Sequence, residues 1–77
     1  MLLNELAIEQ VAEITAVKAR GRQRRRLLDL GFIPGTKIKA LRKSPLGEPV
    51  AYLVKGTVLA LRKEEAELIE IRRLENE

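Results

Sequence analysis

The sequence predicts a mainly β chain, a small and strongly bent β-barrel of about five strands with one short helix between the first two strands. Three observations carry this. Short runs rich in β-branched and apolar residues recur along the chain, each too brief for a stable helix and each the right length for a strand. Glycine and proline punctuate the gaps between them, at Gly21, Gly31, Pro34-Gly35, Pro45 to Pro49 and Gly56, as tight turns require. A single segment, Arg22 to Leu30, shifts to helical spacing. Strands so short have exposed edges, and closure into a barrel protects them.

The elements follow in order. Residues 11 to 17 lack helix breakers and are rich in β-branched side chains, which favours a strand. Ile14 and Val17 lie three apart, so burying both demands a bulge or a barrel corner. After the Lys18 to Gly21 loop, Leu27 and Leu30 set a helical face, with Gly21 as N-cap and Gly31 in the left-handed position that ends helices. Pro34-Gly35 supplies the restricted φ and the positive φ of a type II turn. Thr36 to Lys43 alternates Lys37 and Lys39 against Ile38 and Ala40, a half-exposed strand whose alternation fails at Leu41. Beyond the Ser44 to Pro49 loop, Val50 to Lys55 and Val58 to Leu61 form a hairpin expected to be buried on both sides. Lys63 to Glu67 makes one helical turn, Leu68 to Arg72 a closing strand, and Arg73 to Glu77 frays. The expected core is Leu27, Leu30, Ile38, Val54, Val58, Leu61, Ile69 and Ile71.

A chain of 77 residues holds one domain, residues 1–77, with a thin core. It has no cysteine and no histidine. That removes disulfides, thiolate or imidazole metal sites, thiol nucleophiles and the usual general base. An enzyme is therefore the least favoured class, with no catalytic residue, cofactor or metal ligand to name. The opening residues have no basic n-region, and nowhere do about 18 apolar residues run together. The expectation is a soluble cytoplasmic chain with no membrane insertion.

Charge is informative by position. Between Lys18 and Lys43 stand ten basic residues against one acid, Asp29, while acids gather towards both ends. Arg24, Arg25 and Arg26 lie early in the helix, where cations oppose the helix dipole, so local stability does not explain them. One reading is a solvated face with Asp29 paired to Arg25 or Arg26. The other is a contact with an acidic partner surface or a phosphate backbone. Phe32 and Tyr52 are the sole aromatics, too few for stacking on bases, and Phe32 reads as core. Nucleic-acid binding is accordingly not favoured. In the loop, Leu46 is either displayed as an apolar contact or folded back over a rigid connection. Glu48 is assigned no role, and Glu64, Glu65 and Glu67 read as a solvated turn.

Taken in order, Arg26-Leu27-Leu28-Asp29-Leu30-Gly31, Pro34-Gly35-Thr36, Ser44-Pro45-Leu46-Gly47-Glu48-Pro49, Gly56, and Leu61-Arg62 with Ala66 and Ile69 resemble the FeoA family over nearly the whole chain. The family often has a glycine in the turn before the first strand, where this chain has Glu9-Gln10. The resemblance implies an SH3-like β-barrel, an accessory protein of bacterial ferrous iron uptake that acts on FeoB, a membrane transporter with a GTP-binding domain, and no catalysis. The same domain type resembles the C-terminal module of metal-dependent repressors.

The expected mechanism is docking on the cytoplasmic surface of FeoB through Arg24, Arg25, Arg26 and Leu46, modulating its GTPase or transport activity by protein contact. Help with iron, a transition metal, would then come through contact and not chelation. The chain itself is expected to be a monomer or to self-associate weakly. The alternatives are a basic nucleic-acid-binding barrel and a metal-responsive regulatory domain.

Overall fold

A computed structural model describes residues 1–74. A 3-10 turn, Leu3–Glu5, precedes strand β1 (Val11–Val17), helix α1 (Gly21–Leu30), β2 (Lys37–Lys43), β3 (Val50–Val54), β4 (Thr57–Leu61), the single-turn helix α2 (Lys63–Ala66) and β5 (Ile69–Arg73). The five strands form one antiparallel sheet in the order β4-β3-β2-β1-β5.

The expected barrel is not closed. β4 and β5 are the two ends of the sheet and do not pair, because the chain leaves β4 through α2 instead of running directly beside β5. The N-terminus takes up the outer edge of β5: Leu2 bridges Glu70, and the Ile71 N–H donates to Met1 O at 2.8 Å. Leu74 continues the β5 contact by donating its N–H to Val11 O. Arg73 is thus in the strand, and the rest of the segment expected to fray, residues 75–77, lies outside the described residues.

The two breaks in alternation have a common cause. Register shifts lie between Ile14 and Ala16 in β1 and between Ala40 and Arg42 in β2. Each inserts one residue, so Ile14 and Val17 both point inward and Leu41 absorbs the slip beside Ala40. Bulges increase local twist, and the sheet folds around a core of Ile14, Ile38, Tyr52, Val54, Leu61, Ile69 and Ile71, covered by Leu3, Leu27 and Phe32.

Two expected core residues lie outside it. Leu30 is 36% exposed, because Gly31 ends the helix immediately after it and α1 turns Leu27 inward. Val58 is 51% exposed: β4 is an edge strand with one covered face, and its register with β3 turns Leu61 in and Val58 out. The β3-β4 hairpin is therefore buried on one side, not both. Leu3 and Leu6 are buried core residues that the strand pattern did not reveal.

The turns match their chemistry. Thr36 N–H donates to Ile33 O at 3.0 Å around Pro34-Gly35, with Gly35 at φ 93°, as a type II turn requires. Lys55 and Gly56 have φ of 51° and 79° and join Val54 to its partner Thr57, the type I′ form that suits the twist of a two-residue hairpin.

Candidate functional site

Helix α1 forms from good helix formers, arginine, glutamine and leucine, yet it touches the body of the protein sparingly. It begins one residue before the sequence reading, at Gly21, with Arg20 as an N-cap that makes no side-chain bond. At its other end Gly31 adopts φ 111°. The Gly31 N–H reaches Leu28 O and the Phe32 N–H reaches Leu27 O, each at 3.0 Å, a Schellman closure that only a residue at ease with positive φ permits. Leu27 is the sole fully buried side chain on the helix.

The three arginines do different things. Arg24 turns back to the strand before it, its Nη1 donating to Val17 O at 3.0 Å. Arg26 reaches α2, its Nη1 donating to Glu65 Oε2 at 2.6 Å. Arg25 makes no hydrogen bond or ion pair among the described residues, and neither does Arg22; with Arg26, Asp29 and Leu30 they line one shallow groove along α1. The expected pairing of Asp29 with Arg25 or Arg26 does not form. Arg26 takes Glu65 instead, a partner in another element that local spacing could not reveal.

Leu46 stands 95% exposed at the tip of its loop, displayed and not folded back. The loop holds itself in shape. Gly47 N–H donates to Ser44 O at 2.9 Å, Ser44 N–H to Pro49 O at 3.1 Å, and Ser44 Oγ to Glu48 O. Glu48, given no role from sequence, accepts the Lys63 N–H at 2.8 Å through Oε1 and so satisfies a free donor at the start of α2. Glu65 does the same for the Arg62 N–H at 3.1 Å. Arg26, Glu65, Lys63 and Glu48 thus run as a chain of contacts from α1 through α2 to the Leu46 loop.

Titration follows this geometry. Burial acts to raise the Glu65 carboxyl, but the Arg62 N–H and the Arg26 guanidinium outweigh it and hold the group below the usual carboxylate range. Glu70 is lowered by the hydrogen bond and charge of Lys18 at 2.8 Å. Burial pushes the Tyr52 hydroxyl up to about 12. Tyr52 and Phe32 are both in the core, so neither offers a ring to a nucleic-acid base. Among the described residues, no three His, Cys, Asp or Glu side chains group as a metal site, and no helix is long and apolar enough to cross a membrane.

The FeoA domain family model matches residues 1–73. The chain belongs to the FeoA family. FeoA is associated with ferrous iron transport, and the solved structures agree in fold. The FeoA protein of Chlorobium tepidum superposes with a TM-score of 0.90 at 43% identity, covering 100% of this chain and 73% of that one. The zinc-complexed FeoA of Stenotrophomonas maltophilia, described as a procaryotic SH3 domain protein, gives 0.82 at 35% identity over 92% of this chain and 88% of that one. The architecture is accordingly SH3-like, with the sheet open. The Fe(2+) transport protein A/Fe(2+) transporter FeoB fusion protein of Porphyromonas gingivalis is 38% identical over 71 residues, 92% of this chain. The chain spans 8% of the length of that relative. In the turn before the first strand Glu9 holds φ 77°, a left-handed backbone at a residue other than glycine.

Proposed function

We propose that this FeoA chain is a cytoplasmic accessory protein of ferrous iron uptake that docks on a FeoB-type transporter and modulates its GTPase or transport activity by contact. The observation that supports the reading most is the Porphyromonas relative, in which an FeoA segment and FeoB share one polypeptide. Covalent linkage holds two partners at high effective concentration, which favours even a weak contact between them.

On the side of this chain, the docking face is Arg24, Arg25, Arg26 and Leu46. Arg25 is the member with no hydrogen-bond or ion-pair partner among the described residues. Arg24 and Arg26 carry structural bonds as well, so substituting them disturbs the position of α1. Leu46 offers an apolar knob on a loop braced by its own hydrogen bonds, which lowers the entropy lost on binding. The test is binding of the chain to the transporter in lipid nanodiscs with and without guanine nucleotide. Arg25→Ala and Leu46→Ser should each weaken binding while leaving the thermal melt unchanged. Weaker binding as salt rises is expected of the arginine contact. Unchanged affinity in both variants would remove this face.

A further inference from the structure

The two ends of the sheet are finished differently. β5 has Met1 and Leu2 along its outer edge, whereas β4 has no backbone partner beyond β3 among the described residues. The register of the hairpin says which groups are left over. Val54 and Thr57 close a two-residue type I′ loop and form the narrow hydrogen-bonded pair. Pairs then alternate, so Leu59 and Leu61 turn their backbone groups to β3 while Val58 and Ala60 turn theirs outward.

Natural edges are normally blunted by a bulge, a proline or a charge within the strand. β4 has none of these. Its sequence is Thr57-Val58-Leu59-Ala60-Leu61, and its register with β3 runs without a shift. Val58 and Ala60 are exposed and share a face with Leu53 and Ala51.

Charge decides what fits there. Lys37, Lys39 and Lys55 surround the shallow groove over Leu53, and Arg42 and Lys43 the one over Ala51 and Ala60, with no acid among the described residues lining either. None of these five cations has an ion-pair partner among the described residues. A second copy pairing antiparallel about Leu59 would bring Lys55 of each chain opposite Lys63 of the other, like against like. We propose that the β4 edge is a docking site for an extended acidic peptide segment of a partner protein, which adds as a sixth strand with apolar residues over Val58 and Ala60 and carboxylates towards the lysine rim.

The test is a nuclear magnetic resonance titration of the isotope-labelled full chain with the peptide acetyl-EVTVTVD-amide. Controls are its lysine counterpart acetyl-KVTVTVK-amide and a form of the acidic peptide N-methylated at alternate residues. Saturable shifts and slowed exchange at the Val58 and Ala60 amides are expected, with both controls at least about tenfold weaker, as loss of one or two hydrogen bonds or of the charge match implies. Ala60→Pro removes one outward donor without touching the β3 ladder and should abolish binding. If that variant fails to fold, the N-methylated peptide on the unaltered chain decides the matter. Unmoved Val58 and Ala60 amides, equal binding of either control, or protection of these amides by self-association without peptide would each overturn the proposal.

Discussion

The half of the molecule built from β1, β5 and the two helices differs from the half built from β2, β3 and β4 in how its charges and edges are used. All three ion pairs among the described residues, Lys18–Glu70, Arg26–Glu65 and Arg72–Glu13, lie in the first half. That half also has its edge occupied by residues 1 and 2. The second half carries Lys37, Lys39, Arg42, Lys43 and Lys55 without such partners, and leaves β4 open, among the described residues. Net charge describes neither half well: the five cations of the second half border grooves with no acid among the described residues. In the first half Arg25 has no hydrogen-bond or ion-pair partner among the described residues, and in the second Leu46 stands exposed on the loop between β2 and β3.

The strongest way to break this comparison is through the core that the first half encloses. Leu3→Ala, Leu27→Ala and Ile69→Ala each remove a fully buried side chain and should cost about 2–5 kcal/mol, read from denaturant midpoints. Val58→Ala, on the open edge, should stay within about 0.5 kcal/mol. Equal losses at Ile69 and Val58 would mean that the two edges are not different.

Next in size is the tie between the halves. Glu48→Ala removes the acceptor for the Lys63 N–H and should destabilise by about 1 kcal/mol, as loss of a helix cap does. Hydrogen exchange at the Lys63 amide would rise with it. Glu9→Gly and Lys55→Asn sharpen the backbone side of the picture. Both positions hold positive φ without glycine, and each substitution should stabilise by about 0.5–1 kcal/mol in thermal melts.

The smallest effect concerns pH. Glu65 sits below its ordinary range in the folded state, so its contribution is fully present above the unfolded pKa and is lost as pH falls through the folded value. Arg26→Ala should cost under about 1 kcal/mol at neutral pH, since the pair is partly exposed. It should also flatten the acid side of the stability profile. An identical acid limb in parent and variant would mean that Arg26 does not hold Glu65 in solution.

Much of this was legible from local chemistry. The bulge demanded by Ile14 and Val17, the slip at Leu41, the Gly31 helix end and the Pro34-Gly35 turn all follow from residues adjacent in sequence. What escaped the sequence depends on residues far apart. Arg26 meets Glu65, Glu48 meets Lys63, and Met1 meets Ile71, contacts that exist only once the sheet has bent. Val58 was misplaced for a related reason. An alternating strand shows which residues share a face, but only the sheet order shows that β4 lies at an edge with that face uncovered. Of the candidate site, the exposure of the arginines was legible; whether Leu46 is displayed or folded back stayed open in the sequence and was settled by the loop's own hydrogen bonds, and the division of labour among Arg24, Arg25 and Arg26 was not legible.

The measurement that bears most directly on the central claim is the affinity of the intact chain for a FeoB-type transporter in lipid nanodiscs at physiological salt. It should be compared with the doubly substituted Arg25→Ala, Leu46→Ser chain. Saturable binding that weakens at least about tenfold in the variant, with an unchanged melt, is the predicted result, since an anchoring residue at an interface is worth more than about 1 kcal/mol. Absence of binding in every nucleotide state, or equal affinity of parent and variant, would contradict it.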